Sequence, residues 1–222
     1  MQLPNHLVSL PIATIGWLIA LTSVAWAVRA APWPALRAEP ARLNLVGLAG
    51  LFLLGMWSLK ATLMPGLTLH FLGMAAVTLV IGLELALIVG LAAAIALPLV
   101  FGGGLAIAGW DFLLSALLPA LLTYGLTRAS QRWLPLNFFI YLFIGVFLSA
   151  VLSMVAHGVG TALLVMAMGL YDGGLVWNNY LRILPLIAFA EGVANGMLMT
   201  ALALVVPQWV ISFDDHHYID GQ

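Results

Sequence analysis

The chain has 222 residues, of which 64% are hydrophobic and 7% are charged, and its formal net charge is −1. A soluble domain carries roughly 25% charged residues, so this composition excludes a water-soluble globule. The absence of cysteine excludes disulfides and thiolate metal ligands, and the lack of a basic cluster excludes nucleic acid as a main partner.

Long apolar runs indicate that the chain crosses a lipid bilayer several times. A spanning helix needs roughly 20 apolar residues, and charged or Pro- and Gly-rich segments separate runs of that size here. In chain order the runs are Leu7–Val28, Leu43–Leu59, Thr68–Phe101, Ala106–Thr127, Leu136–Leu170 and Ile183–Ile211. The predicted fold class is all-α, a polytopic membrane helical bundle.

The number of spans depends on whether Thr68–Phe101 crosses once or twice. Gly82 and Glu84 interrupt this run, and a tight turn there would give two short helices. Five arginines would then share one face, opposite Lys60 and Arg182, which satisfies the positive-inside rule. They are Arg29, Arg37, Arg42, Arg128 and Arg132.

This charge distribution favours seven spans, with six as the alternative because Leu136–Leu170 is also ambiguous in length. The N-terminus is then outside and the C-terminus cytoplasmic, in a multi-pass protein of the plasma (inner) membrane. Residues 1–211 are predicted to form one membrane domain, and residues 212–222 a short tail.

Polar side chains inside these spans are candidates for function, because a charge at bilayer depth costs about 2.5–3.5 kcal/mol. Glu191 and Asn195 share one face of the last span, where they either line a polar path or hold helices in register. His157 is either a helix–helix contact or a ligand. Asp111 follows the Gly102–Gly104 break and either caps a helix or binds a ligand.

A nitrogen-rich group is predicted at the outer face. Met1 offers an amine and Gln2 a backbone amide, while His6 and His70 offer imidazoles near two span boundaries. Such donors suit Ni, Co, Cu or Zn, so these four residues are candidates for a metal site. The alternative is that the two histidines are ordinary interfacial residues at the ends of spans.

The tail contains a second, weaker metal candidate. It places Asp214, Asp215, His216 and His217 next to one another. These side chains either hold a divalent cation loosely or form a solvated tail that contacts a partner, since adjacent histidines do not by themselves preorganise a site.

No catalytic motif is present. Gly102–Gly104 has no following Lys to make a phosphate loop, and neither a His-Glu-x-x-His nor a Gly-x-Ser-x-Gly pattern occurs. The chain is therefore not expected to be an enzyme or to need an organic cofactor, and any ATP hydrolysis requires another polypeptide.

Several short motifs follow one another along the chain: Leu59-Lys60-Ala61, Pro65-Gly66, His70, Gly73, Gly102-Gly103-Gly104-Leu105, Pro185 and Ala190-Glu191-Gly192. Their order resembles the CbiM/NikM-type family, the metal-recognising membrane subunits of energy-coupling-factor cobalt and nickel importers. The resemblance extends from about Leu59 to Pro207 and is closest to a divergent, compact permease branch.

The resemblance implies particular metal ligands. In that family the N-terminal amine, a backbone amide, a second-position imidazole and a later His bind the metal. Met1, the backbone of residue 2 and His70 match three of these donors, whereas Gln2 replaces the second-position His and His6 is its nearest substitute.

The function implied is a membrane substrate-recognition subunit (permease) that imports a Co- or Ni-like transition metal ion as transported substrate. Its partners would be a transmembrane coupling subunit and ATPase subunits. The alternative is a non-transporting assembly or structural subunit of a larger membrane complex, which Gln2 favours and the presence of His70 disfavours.

Overall fold

The computed structural model describes residues 3–213 as a bundle of helices with one small β-hairpin. The helices are α1 (Leu10–Ala30), α2 (Trp33–Ala38), α3 (Pro40–Ser58), α4 (Met74–Ile81), α5 (Leu83–Phe101), α6 (Leu105–Trp133), α7 (Phe138–Ala167) and α8 (Gly173–Val205). The strands are β1 (Lys60–Met64) and β2 (Leu67–His70). Short 3₁₀ turns at Asn5–Leu7 and Pro207–Trp209 flank the bundle, and α6, α7 and α8 each include a π-helical stretch.

Six of these helices are long and apolar enough to span a membrane: α1, α3, α5, α6, α7 and α8. The predicted class, an all-α polytopic membrane bundle, is confirmed. The hairpin was not predicted. The seventh predicted span corresponds to α4, which has eight residues and is about 12 Å long.

The predicted break in Thr68–Phe101 lies where the sequence placed it. Gly82 separates α4 from α5 and has φ +86°, a backbone conformation that glycine adopts without strain. The two parts are unequal, because α5 has 19 residues and the segment before it begins as strand β2. In place of the two half-length helices that were predicted, the first part is therefore a strand and a short helix, and the second part is a full-length helix.

The centre of the bundle is formed by α4, α5 and α6. Every residue of α4 is buried, and more than half of the most apolar stretch of α5 and of α6 is buried, against about one fifth for α1 and α3. Helices α1 and α3 pack on α5, and α6, α7 and α8 pack in succession. The apolar surfaces that α1 and α3 leave uncovered are suited to lipid.

The two ends of the described chain lie at opposite ends of α5. Asn5 accepts a hydrogen bond from Ala106 N (3.1 Å), just beyond the C-terminus of α5. Ser212 N donates to Leu79 O (3.2 Å), just before its N-terminus. The end at the C-terminus of α5, where the β-hairpin also lies, is called the hairpin end. The end at the N-terminus of α5 is called the Ser212 end.

Candidate functional site

The β-hairpin carries His70 into the hairpin end of the bundle. Strands β1 and β2 pair antiparallel with Lys60 opposite His70, and Gly66 makes the turn with φ +84°. All four residues of β2 are buried, whereas the middle of β1 is exposed. The strand therefore ends with the His70 imidazole inside the protein, 7% exposed.

The segment after His70 is held by a carboxylate from α8. Glu191 accepts hydrogen bonds from Leu72 N (2.9 Å) and Gly73 N (2.8 Å). One turn later, Asn195 accepts from Ala76 N (3.0 Å) and donates to Glu191 Oε1 (2.8 Å). The first N–H groups of a helix have no partner within it. Here Asn195 accepts from one of them, that of Ala76, and Glu191 accepts from the two residues just before α4. Of the two roles considered for this pair, the geometry favours bracing.

Trp57 holds the same segment from α3. Its indole N–H donates to Leu72 O (2.9 Å), and its ring centroid lies 6.0 Å from that of His70. The backbone two residues after His70 is thus fixed at both its N–H and its carbonyl group, which limits the movement of the imidazole.

His157, from the middle of α7, lies beside His70. The two ring centroids are 5.3 Å apart with an interplanar angle of 68°. His157 is 2% exposed, and its Nδ1 lies 3.2 Å from Leu114 O and 3.4 Å from Ser115 Oγ. The sequence separates the two histidines by 87 positions, and the fold makes them neighbours.

A small cavity opens beside His70. Its walls combine charged and polar side chains with apolar and glycine positions: Trp57, Lys60, Thr68, His70, Leu97, Pro98, Gly103, Gly104 and Asp111. Burial lowers the pKa of His70 to about 4 and also lowers the pKa of Lys60. At neutral pH the His70 imidazole is therefore uncharged, the form that can bind a metal ion.

The N-terminal segment packs against the same end. Leu3 is 1% exposed and lies over the hairpin turn, where a Cβ on Gly66 would approach Leu3 Cδ2 to 2.9 Å. A Cβ on Gly104 would lie 2.6 Å from Leu3 O and would also collide with Asn5. Gly104, the last glycine of the Gly102–Gly104 break, is therefore needed for the close approach of the N-terminal segment.

The predicted metal residues are not all brought together. His70 lines the cavity, whereas His6 is exposed in the Asn5–Leu7 turn and is not among the lining residues. Met1 and Gln2 lie outside the described residues, as do the four tail candidates Asp214, Asp215, His216 and His217. Within residues 3–213, no three His, Asp or Glu side chains are grouped closely enough to hold a metal ion by themselves.

Several site residues were not singled out from sequence. Trp57 and Lys60 look like ordinary residues at the end of a span, and Ser115 like a helix-packing residue. Asp111 was weighed as a cap or a ligand. It lines the cavity, accepts a long hydrogen bond from Ser115 Oγ (3.4 Å) and interacts electrostatically with both buried histidines. The only sequence signal for it was a carboxylate within an apolar run.

The fold and the site together define a multi-pass membrane protein with a buried, imidazole-containing cavity at one end of its bundle. The sequence matches the CbiM family, described as the cobalt uptake substrate-specific transmembrane region, over residues 2–209. Since this match covers most of its length, the chain belongs to that family. The family points to a metal transporter rather than an enzyme.

Solved structures share the fold. A truncated transition metal transporter superposes with a TM-score of 0.67 at 13% identity, covering 92% of this chain and 99% of that chain. A second transition metal transporter gives 0.64 at 15% identity, covering 92% and 93%. At these identities the similarity concerns the fold alone. The comparison with curated protein sequences gave no match.

Proposed function

We propose that this protein is the substrate-recognition membrane subunit of an energy-coupling-factor type importer for a Co- or Ni-like transition metal ion. The observation that carries the proposal is the position of His70. It is a buried, uncharged imidazole at a cavity, held in place from two helices. Imidazole is a ligand suited to Ni, Cu and Zn and unsuited to Mg or Ca.

The N-terminal segment is proposed to complete the site. Leu3 is buried beside Gly66 and Gly104, at the same end of the bundle as His70. Residues 1 and 2 can extend at most about 7 Å beyond it. In this proposal the Met1 amine and the backbone of Gln2 supply nitrogen donors. The exposed His6 is left out of the ligand set because it does not line the cavity.

The hairpin end is proposed to face outward in the plasma membrane. Arg42 borders a groove with Ile211 beside α4, and Gln131, next to Arg132, donates to Ser212 O (3.5 Å). An excess of arginine at the Ser212 end fits a cytoplasmic location. Since the sequence has no ATP-binding motif, a coupling subunit and separate ATPase subunits would power transport from that side.

Metal binding by the full-length protein tests the proposal. Purified in detergent without an N-terminal tag, the wild type should bind Ni²⁺ or Co²⁺ at about one ion per chain, and His70→Ala should lose it. His6→Ala serves as a matched control for removal of an imidazole outside the cavity. A tag before Met1 should also abolish binding, since it removes the free amine.

The alternative, an assembly subunit, predicts a different result. Protein that binds neither ion and co-purifies with a larger membrane complex would support it and overturn the importer proposal. Changing both His216 and His217 to Ala tests the tail separately, and unchanged metal uptake would remove the tail from the mechanism.

A further inference from the structure

We propose that His157 is a second imidazole ligand, so that His70 and His157 hold one transition metal ion between the β-hairpin and α7. This inference rests on the proposed function and adds a ligand to its site. His157 lies on α7, a helix that no sequence pattern connects with the hairpin.

The distance between the two rings suits a shared ion. With a metal–nitrogen bond of about 2.0–2.1 Å, a ring centroid lies about 3.2 Å from the metal. Two imidazoles on one ion then have centroids about 4.5 Å apart at a right angle and about 6.4 Å apart when opposite each other. The observed 5.3 Å lies between these limits, near the value for a tetrahedral angle.

The hydrogen bonds of both rings leave the same nitrogen available. Nδ1 of His70 lies 3.2 Å from Phe71 O, and Nδ1 of His157 lies 3.2 Å from Leu114 O. Because a carbonyl oxygen only accepts, each Nδ1 carries the proton and donates, and each Nε2 carries the lone pair. The hydrogen bonds that the structure describes for both rings all involve Nδ1.

This arrangement is typical of metal-binding histidines, which usually donate their other ring N–H to a backbone carbonyl or a carboxylate. Such a bond fixes the tautomer and the ring orientation. A histidine pair that served only for packing would not require both Nδ1 atoms to donate hydrogen bonds to backbone carbonyl groups.

The surroundings determine the class of ion. Two neutral imidazoles select borderline divalent ions such as Ni²⁺, Co²⁺, Cu²⁺ or Zn²⁺. Asp111 interacts electrostatically with both rings, so a positive charge between them would have an anionic neighbour. Two ligands do not fill a coordination sphere, and the remaining donors come from the proposed N-terminal ligands or from water.

Pulsed EPR of the Cu²⁺-loaded protein counts the imidazole ligands directly. An imidazole bound through Nε2 gives modulation from its remote Nδ1 nitrogen, and two such rings add combination lines. The wild type should show two imidazole ligands. His157→Asn and His70→Asn should each show a single imidazole ligand, or bind no Cu²⁺ at all. A wild-type spectrum with a single imidazole would overturn the inference without needing any variant.

Ni²⁺ titration provides the second measurement. His157→Asn should weaken Ni²⁺ binding by more than about 100-fold, beyond the 10–100-fold typical of residues that only orient a ligand. His6→Asn is the matched imidazole-to-amide control and should not reduce the count of two imidazoles.

The two proposals fail differently. If His157→Asn binds Ni²⁺ normally while His70→Ala does not, His157 is not a ligand and the importer proposal stands. If the wild type binds neither Ni²⁺, Co²⁺ nor Cu²⁺, both proposals are overturned.

Discussion

The Glu191 carboxylate accepts a 2.8 Å hydrogen bond from the backbone N–H of Gly73, a residue 118 positions earlier in the chain. The bond connects the last spanning helix to the start of α4, three residues after His70. Because Glu191 is 1% exposed, this contact is shielded from water and fixes the position of the buried hairpin. A carboxylate on α8 therefore acts on the proposed metal site through the backbone that follows His70.

Glu191→Ala should destabilise the protein and weaken metal binding together. It leaves the N–H groups of Leu72 and Gly73 without their acceptor, and each unsatisfied buried group costs about 1–3 kcal/mol. Glu191→Gln keeps one carbonyl oxygen and should have a smaller effect. Thermal unfolding in detergent and Ni²⁺ titration measure the two quantities.

Glu84→Gln is the matched control, since it removes a carboxylate at the first turn of α5, away from the hairpin. If Glu191→Ala unfolds at the same temperature as Glu84→Gln and binds Ni²⁺ as the wild type does, the bracing role assigned to Glu191 is wrong.

Much of the fold followed from sequence because a membrane helix must satisfy its backbone internally, so that hydropathy alone locates it. The break at Gly82 was also predictable, because glycine after a long apolar run favours a turn. The hairpin was not. Lys60–His70 contains no strong strand signal, and β2 is stabilised by its burial in the bundle, which local sequence does not reveal.

The candidate site was only partly predictable for a similar reason. His70 could be selected by its place in a motif, and Glu191 by its charge within a span. The contact between His70 and His157 depends on how α7 packs beside the hairpin. No periodicity or spacing within one chain reports such a contact between distant segments.

Gly104→Ala should weaken metal binding while leaving the bundle folded. The new Cβ would lie 2.6 Å from Leu3 O and would displace the N-terminal segment from the hairpin end. Gly104 has φ −82°, so alanine introduces no backbone strain of its own. We expect at least a tenfold loss in Ni²⁺ affinity by titration.

The control for this variant is Gly47→Ala, where a Cβ would have no neighbour within 4 Å. Equal Ni²⁺ affinities for Gly104→Ala and Gly47→Ala would show that the docked N-terminal segment contributes nothing to the site.

The metal-free protein should lose stability in mild acid because of His70. Burial lowers its pKa from 6.5 to about 4, so the unfolded chain binds the proton more readily than the folded one. Burial of the neutral His70 imidazole therefore costs the folded state nothing above pH 6.5, where the unfolded chain is also unprotonated. As the pH falls from 6.5 toward 4, the unfolded chain takes up a proton that the folded protein does not, and the free energy of unfolding decreases. Between pH 8 and pH 5 the free energy of unfolding should decrease by about 2 kcal/mol on this account.

His70→Gln should remove that part of the acid sensitivity, as measured by thermal unfolding at several pH values without metal. His6→Gln, at an exposed position, should keep the wild-type profile. An unchanged profile in His70→Gln would mean that the buried imidazole does not control this dependence.

Gly109→Ala should destabilise the whole bundle. At this position α6 crosses α1 at backbone distance, and a Cβ would lie 2.6 Å from Trp17 N and 2.5 Å from the carbonyl carbon of Gly16. Both neighbours are main-chain atoms, which cannot turn aside as a flexible side chain does, so the two helices must separate. Overpacking of this kind costs about 1–3 kcal/mol or more. Trp110 donates to Ile12 O (2.8 Å) across the same crossing, and separation of the helices would strain that bond as well.

The expected result is a thermal midpoint well below those of the wild type and of Gly55→Ala, a helical glycine with no neighbour within 4 Å. Equal midpoints for Gly109→Ala and Gly55→Ala would mean that α1 and α6 do not pack this closely in the membrane.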